Sequence, residues 1–170
     1  MKRLKILVLL LCLFLGKAVH AQVNNPAYKL LLEGMYSKTV PLITVPEAAK
    51  VQARDKAVVF LDTRESEEYA VSHLKNAVWV GYNDFNLKRL AGIPKPTPLI
   101  VYCSVGYRSE KVGEKLLKAG YTNVHNLYGS IFEWVNQGYP VYKNKDQPTT
   151  AVHAYNRTWG IWLQQGKKVY

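Results

Sequence analysis

Cys103-Ser104-Val105-Gly106-Tyr107-Arg108-Ser109 is the stretch whose residue types and spacing could do chemistry. The cysteine follows the apolar run Leu99-Ile100-Val101-Tyr102, which reads as a buried strand, and an amphipathic helix pattern begins at about Ser109. A thiol set between a strand end and a helix N-terminus meets free N–H groups and a partial positive charge, which favour thiolate over thiol. Successive amides of a short loop can curl around an anion. Gly106 permits the backbone geometry of such a turn, and Arg108 adds a fixed positive charge. Together such influences lower a cysteine pKa from about 8.5 to roughly 3.5–7.5. An accessible thiolate is a nucleophile for covalent transfer.

Two further features bear on that thiol. Asp62 and Arg64 stand at the end of the apolar run Ala57–Leu61, where loop-organising residues and possible supports of the site are expected. Arg64 reads as structural, paired with Glu65, Glu67 or Glu68. Cys103 also has no cysteine partner once the N-terminus is read as a leader. Met1–Lys5 is cationic, Ile6–Leu15 is apolar, and Val19-His20-Ala21 offers small residues before a cut. This is the layout of a secretory signal peptide over residues 1–21, the apolar run being shorter than the roughly 20 residues that span a bilayer. An uncleaved anchor is the alternative. Cleavage would remove Cys12 and leave 149 residues with one thiol and no internal disulfide. A lone cysteine is a small hydrophobe, an intermolecular partner or a reactive group; the residues around Cys103 favour the last. The leader carries four of the positive charges and no acid, so the formal charge of +11 falls to +7. Scattered charge of that size argues against a nucleic-acid partner and fits a mild attraction for small anions.

The elements that must position the loop form a regular series. After an N-terminal arm (22–40) that reads as a short helix, Thr44-Val45-Pro46-Glu47 has the form of a helix start. Strands are expected at Ala57–Leu61, Ala77–Val80, Leu99–Tyr102 and Val124–Leu127. Helices are expected at Glu65–Val71, Asn83–Leu90, Ser109–Ala119 and Ser130–Asn136. Pro140–Tyr142 closes the series as an extended piece, and the polar stretch Lys143–Thr150 reads as a linker or loop. Short apolar strands alternating with helices predict an α/β domain (41–143) with a mainly parallel sheet. Its ligands belong beyond the carboxyl ends of the strands, where Cys103 lies. The tail (144–170), with Tyr155, Trp159, Trp162 and Tyr170, is aromatic enough to pack back on the domain. No phosphate-binding or dinucleotide fingerprint is present, and His73, His125 and His153 lack metal-ligand spacing, so no cofactor or metal is expected. Asn156-Arg157-Thr158 has the form of a glycosylation acceptor. No membrane span is expected after the leader.

At the level of motifs the chain resembles the rhodanese family. Cys103, Gly106, Arg108 and Ser109 fill the family's Cys-x-x-Gly-x-Arg-Ser/Ala loop. Leu61–Glu65 resembles its strand-ending Asp-x-Arg, and Glu68-Tyr69 with His73–Ala77 its segment that usually reads Gly-His-Ile-x-x-Ala. Leu127–Ser130, Trp134 and Gly138–Val141 are similar to its closing pattern. Ser72 and Ser130 depart from it by standing where glycine is usual, which bears on local turns. The resemblance implies a three-layer rhodanese-like fold and a sulfurtransferase. A small anionic donor such as thiosulfate would give its outer sulfur to Cys103, and a thiol, cyanide or protein acceptor would take it. Ser104, Val105, Gly106, Tyr107, Arg108 and Ser109 would form the cradle, with Tyr107 lining its mouth. The family's mercaptopyruvate-type members carry a Gly-rich loop without this arginine, so thiosulfate or a low-molecular-weight persulfide is the implied donor. Cysteine phosphatases and arsenate reductases use a longer Cys-x5-Arg loop, whereas four residues separate Cys103 from Arg108. The rival reading is a sulfur-relay module whose aromatic tail docks a protein partner. A disulfide-exchange role is disfavoured by the absence of a resolving cysteine. The export signal implies a periplasmic or secreted protein.

Overall fold

Continuous apolar runs bury both faces of a strand, and here they do so in a five-stranded, wholly parallel sheet. The computed structural model describes residues 25–144 and 147–170; the expected leader, with Cys12, lies outside the described residues. The strands β1 (Leu42–Ile43), β2 (Val59–Asp62), β3 (Val78–Trp79), β4 (Leu99–Tyr102) and β5 (Val124–Leu127) run in the order β1-β5-β4-β2-β3. Central β4 pairs Leu99–Tyr102 with Val59–Asp62 on one side and Leu99–Val101 with Val124–Asn126 on the other. All four of its side chains are buried.

The period-two alternation of these strands sorts the core into two layers. Phe60, Ile100 and Tyr102 face one layer, where α1 (Pro26–Met35), α2 (Val45–Arg54) and α5 (Ser130–Asn136) contribute Tyr28, Leu32, Val45, Ala48, Ile131 and Phe132. Leu61, Leu99 and Val101 face the other, against Val112 and Leu116 of α4 (Tyr107–Lys118). The apolar stripe of α4 is thus what fixes the helix that follows Cys103. Gly113 lets it come close, since a Cβ there would stand 2.9 Å from Val40 Cγ2. The start of α2 is the expected capping arrangement: the Glu47 carboxylate accepts from the Thr44 amide at 3.0 Å and from its hydroxyl at 2.6 Å.

Three local expectations are corrected. The segment Asn83–Leu90 holds only one 3-10 turn, Leu87–Leu90. Its first residues are turned by the Arg89 guanidinium, which donates to the Asp84 carboxylate and to the carbonyls of Asp84 and Val80. Of the stretch read as a linker or loop, Lys143 ends β6 (Val141–Lys143) and Gln147–Thr149 form β7, which pairs with β6 antiparallel. Helix α4 begins at Tyr107, two residues before the expected start, because Gly106 takes the left-handed conformation (φ 114°) that ends the loop.

The tail is ordered into β8 (Ala151–His153), the single turn α6 (Arg157–Gly160) and β9 (Lys167–Val169), with β8 parallel to β9. Strand β8 lies against α3 (Ser66–Val71), and Trp162 stacks on Tyr28 at 5.3 Å. Tyr155 and Tyr170 remain about half exposed. Asn156 of the glycosylation-like triplet caps α6, its side-chain oxygen accepting the Trp159 N–H at 3.0 Å. Among the described residues no helix is long and apolar enough to cross a membrane. No group of three His, Cys, Asp or Glu residues among them could hold a metal ion.

Candidate active site

Cys103 leaves the C-terminal end of β4 and is held there by the turn that starts α5. Its amide donates to the Ser130 hydroxyl at 3.1 Å, while the Ile131 and Phe132 amides donate to the Cys103 and Ser104 carbonyls. Ser130 itself sits in the left-handed region at φ 54°, the conformation a glycine would take freely. Its departure from the family pattern therefore keeps the turn and adds a hydroxyl that anchors the cysteine. The departure thus bears on the cysteine as well as on a local turn; the pairing joins residues 27 apart and has no local signal.

The loop closes around the sulfur. Cys103 is 1% exposed, and its Sγ accepts the Gly106 N–H at 3.0 Å. The Gly106 carbonyl is tied to β5 by the Asn126 side-chain amide at 3.0 Å, and the Ser109 hydroxyl donates to Asn126 Oδ1 at 2.7 Å. Burial pushes the thiol up, but the Arg108 guanidinium and the amides of Ser109 and Gly106 outweigh it, so Cys103 is held below its ordinary value.

Arg108 is held by an acid that sequence reasoning assigned elsewhere. Its Nη1 and Nη2 donate to the two carboxylate oxygens of Glu68 at 2.7 and 2.8 Å, and Nη2 also reaches the Ser104 hydroxyl at 3.0 Å. That hydroxyl in turn donates to Glu68 at 3.0 Å. Burial raises the Glu68 carboxyl, yet the Arg108 hydrogen bonds and charge, with Arg64 behind them, bring it below the ordinary range. The expected pairing of Arg64 with a neighbouring glutamate is corrected: its ion pair is with Asp62, both side chains wholly buried. Two residues apart at the strand end, Asp62 and Arg64 can share one turn; Glu68, a helical turn away, points to the loop.

Tyr36 completes the underside of the loop. Its hydroxyl donates to the Val105 carbonyl at 2.5 Å and accepts the Gly129 N–H at 3.0 Å, tying the Cys103 loop to the α5 turn. A Cβ on Gly106 would run into this tyrosine, so only glycine fits there. Tyr36→Phe leaves a buried carbonyl and a buried N–H unpaired. It is expected to lower stability by about 1–3 kcal/mol, read by urea denaturation with an unchanged slope.

Above the sulfur opens a cavity of about 320 Å³ whose described lining is Met35, Cys103, Ser104, Val105, Tyr107, Arg108, Tyr155 and Trp159. Of the six cradle residues, Ser104, Val105, Tyr107 and Arg108 face this space, whereas Gly106 and Ser109 are not in its lining. Asp62 and Arg64 are absent from the lining. Met35 comes from the arm, and Tyr155 and Trp159 from the tail; no short motif announced them.

A model of the rhodanese-like domain matches residues 44–137, more than half of the chain. The chain belongs to the rhodanese-like family. It is 33% identical over 100 residues to a tRNA uridine(34) hydroxylase of Hamiltonella defensa, which covers 56% of this chain and 27% of that protein. This rhodanese-like chain therefore spans under a third of that relative's length. A rhodanese-like domain protein of Staphylococcus aureus superposes with TM-score 0.54 and 26% identity, over 61% of this chain and 98% of that one. A thiosulfate sulfurtransferase of Pseudomonas aeruginosa superposes with TM-score 0.59 at 22% identity, over 71% of this chain and 23% of that one, a likeness of fold. Met35, Tyr155 and Trp159 lie outside the span of the family model.

Proposed function

We propose that this rhodanese-like protein is an exported sulfurtransferase, periplasmic or secreted, that carries sulfane sulfur on Cys103. The observation that carries the reading is the Cys103 thiol itself, ringed by its loop, accepting the Gly106 N–H and lowered by Arg108 at the floor of an open cavity. The Cys103 thiolate attacks the outer sulfur of thiosulfate or of a persulfide. A bond forms between Cys103 Sγ and that sulfur; the donor's S–S bond breaks, and sulfite or a thiolate leaves with the electron pair. The terminal sulfur of the persulfide then passes to an acceptor nucleophile, and Cys103 returns as thiolate. Loop amides that favour the thiolate serve the persulfide anion equally. Export rests on the first 21 residues of the sequence.

The test is intact mass spectrometry of residues 22–170 after incubation with thiosulfate or glutathione persulfide. One added sulfur, discharged by cyanide as thiocyanate and absent from a Cys103→Ser control, is expected. No added sulfur from either donor overturns the reading. The relay alternative, favoured by the half-exposed Tyr107 and Tyr155 at the mouth, would then be examined by partner capture.

A further inference from the structure

The cavity over Cys103 is walled by carbon, and the one cation of its described lining is already paired with Glu68. Of its described lining, Met35, Val105, Tyr107, Tyr155 and Trp159 present apolar or aromatic surface. Arg108 is the lining cation, and both arms of its guanidinium are engaged by Glu68, with Ser104 taking a further hydrogen bond. Its remaining face lies 5.1 Å from the Tyr155 ring centre. A small dianion entering here would lose water without gaining a free cation, which is costly in a partly buried site. An apolar group would gain by leaving water. About 150 Å³ is enough to enclose benzene in a protein interior, and the cavity measures about 320 Å³. Three of the walls, Met35, Tyr155 and Trp159, are supplied by the segments flanking the family match and lie outside the common domain span.

We propose that the preferred sulfur donor is an organic persulfide or thiosulfonate, whose sulfane sulfur meets Cys103 and whose carbon skeleton packs against Met35, Tyr107, Tyr155 and Trp159. The proposal rests on the sulfurtransferase reading and narrows its substrate class. The Cys103 thiolate attacks the outer sulfur of R–SO2–S⁻ or R–S–S⁻. The bond from that sulfur to the R-bearing sulfur breaks, and the sulfinate or thiolate departs with the electron pair. No oxidant or reductant is consumed.

The probes are methane-, butane- and benzenethiosulfonate beside thiosulfate, each with cyanide as acceptor. Because transfer is through a covalent intermediate, kcat/KM for the donor reports the first half-reaction. Each value is divided by the donor's rate with cyanide alone, to remove intrinsic reactivity. The normalised kcat/KM is expected to rise about two- to four-fold per methylene, hence about eight- to sixty-fold over the three methylenes from the methane to the butane donor. Thiosulfate should lie below the butane and benzene donors. Trp159→Ala should flatten this series. Tyr155→Asn, which removes the ring while suiting the left-handed backbone at φ 64°, should flatten it too and guards against misfolding of the first variant. A series that is flat or falling in the unmodified protein, while Cys103 still takes up sulfur, overturns the proposal. Failure of Cys103 to take up sulfur from any donor overturns the sulfurtransferase reading instead.

Discussion

Arg108→Met is expected to slow persulfide formation about ten-fold on the acid side of the wild-type limb and to move the acid limb of its pH profile upward by about 1–3 units. Cys103 must be thiolate to react, so its rate falls as pH drops through the thiol's folded pKa and is level above it. Arg108 holds that pKa below the ordinary cysteine value; without the cation the limb moves to higher pH. At a pH below the wild-type pKa, a two-unit shift would leave about a hundredth of the thiolate. A more basic thiolate is also a better nucleophile, with a Brønsted slope of about 0.4–0.5, which offsets roughly ten-fold of that loss. The deficit should therefore reverse above about pH 9–10, where both proteins are ionised and the more basic thiolate is the better nucleophile. Loss of Arg108 also strips the two hydrogen bonds from the buried Glu68 carboxylate and leaves a like charge near the sulfur. Adding Glu68→Gln to Arg108→Met should accordingly recover part of the shift. Arg108→Lys should not match the wild type, because one ammonium cannot bridge both Glu68 oxygens and the Ser104 hydroxyl as the guanidinium does. Rates of iodoacetamide alkylation against pH check all four proteins. An unmoved acid limb in Arg108→Met would assign the lowered thiol to the loop amides alone.

The parts of this site that could be read from the chain are those encoded by neighbours in sequence. An apolar strand ending at Tyr102, a cysteine, a glycine three residues later and an amphipathic stripe through Val112 and Leu116 define a strand, a tight turn and a helix without outside help. The parallel sheet followed from strands too apolar to leave a face in water. What escaped was long-range. Glu68 and Arg108 are 40 residues apart, and Tyr36 and Val105 are 69 apart. The motif resemblance marks Glu68-Tyr69, but nothing in the local pattern says that Glu68, not Glu65 or Glu67, reaches the Cys103 loop. Only the packing of α3 over the loop turns one of the three inward, leaving Glu68 3% exposed. Asn83–Leu90 misled for the opposite reason. Its residues tolerate a helix, but Arg89 finds better partners in the carbonyls of Val80 and Asp84 than a regular helix would offer. The tail's aromatic content announced packing without its place; only the fold shows that Trp159 and Tyr155 reach the mouth over Cys103.

Arg64→Ala is expected to lower stability by about 3–5 kcal/mol while leaving the Cys103 chemistry of the folded molecules within roughly three-fold of wild type. The Arg64 Nε donates to Asp62 Oδ1 at 2.9 Å, and Nη2 donates to Asp62 Oδ2 at 2.5 Å and to the Ser72 carbonyl at 2.6 Å. Both side chains of the pair are 0% exposed, so truncation leaves a carboxylate and a carbonyl facing a dry void. For a domain of this size the loss corresponds to roughly 6–20 °C in Tm, at about 2–4 °C per kcal/mol. The pair is nevertheless imperfect: the buried Nη1 of Arg64 and the Ser72 hydroxyl find no hydrogen-bond partner among the described residues. Two desolvated charges with an unsatisfied donor gain little over apolar packing. Asp62→Leu combined with Arg64→Met should therefore regain most of the stability lost by Arg64→Ala alone, as measured by thermal unfolding. Persulfide formation in that double variant then separates two roles. A wild-type rate makes the pair a device for shaping the turn from β2 into α3. A rate depressed by ten-fold or more at full stability would mean that the Arg64 charge reaches Cys103 through Glu68, whose carboxyl it helps to hold ionised.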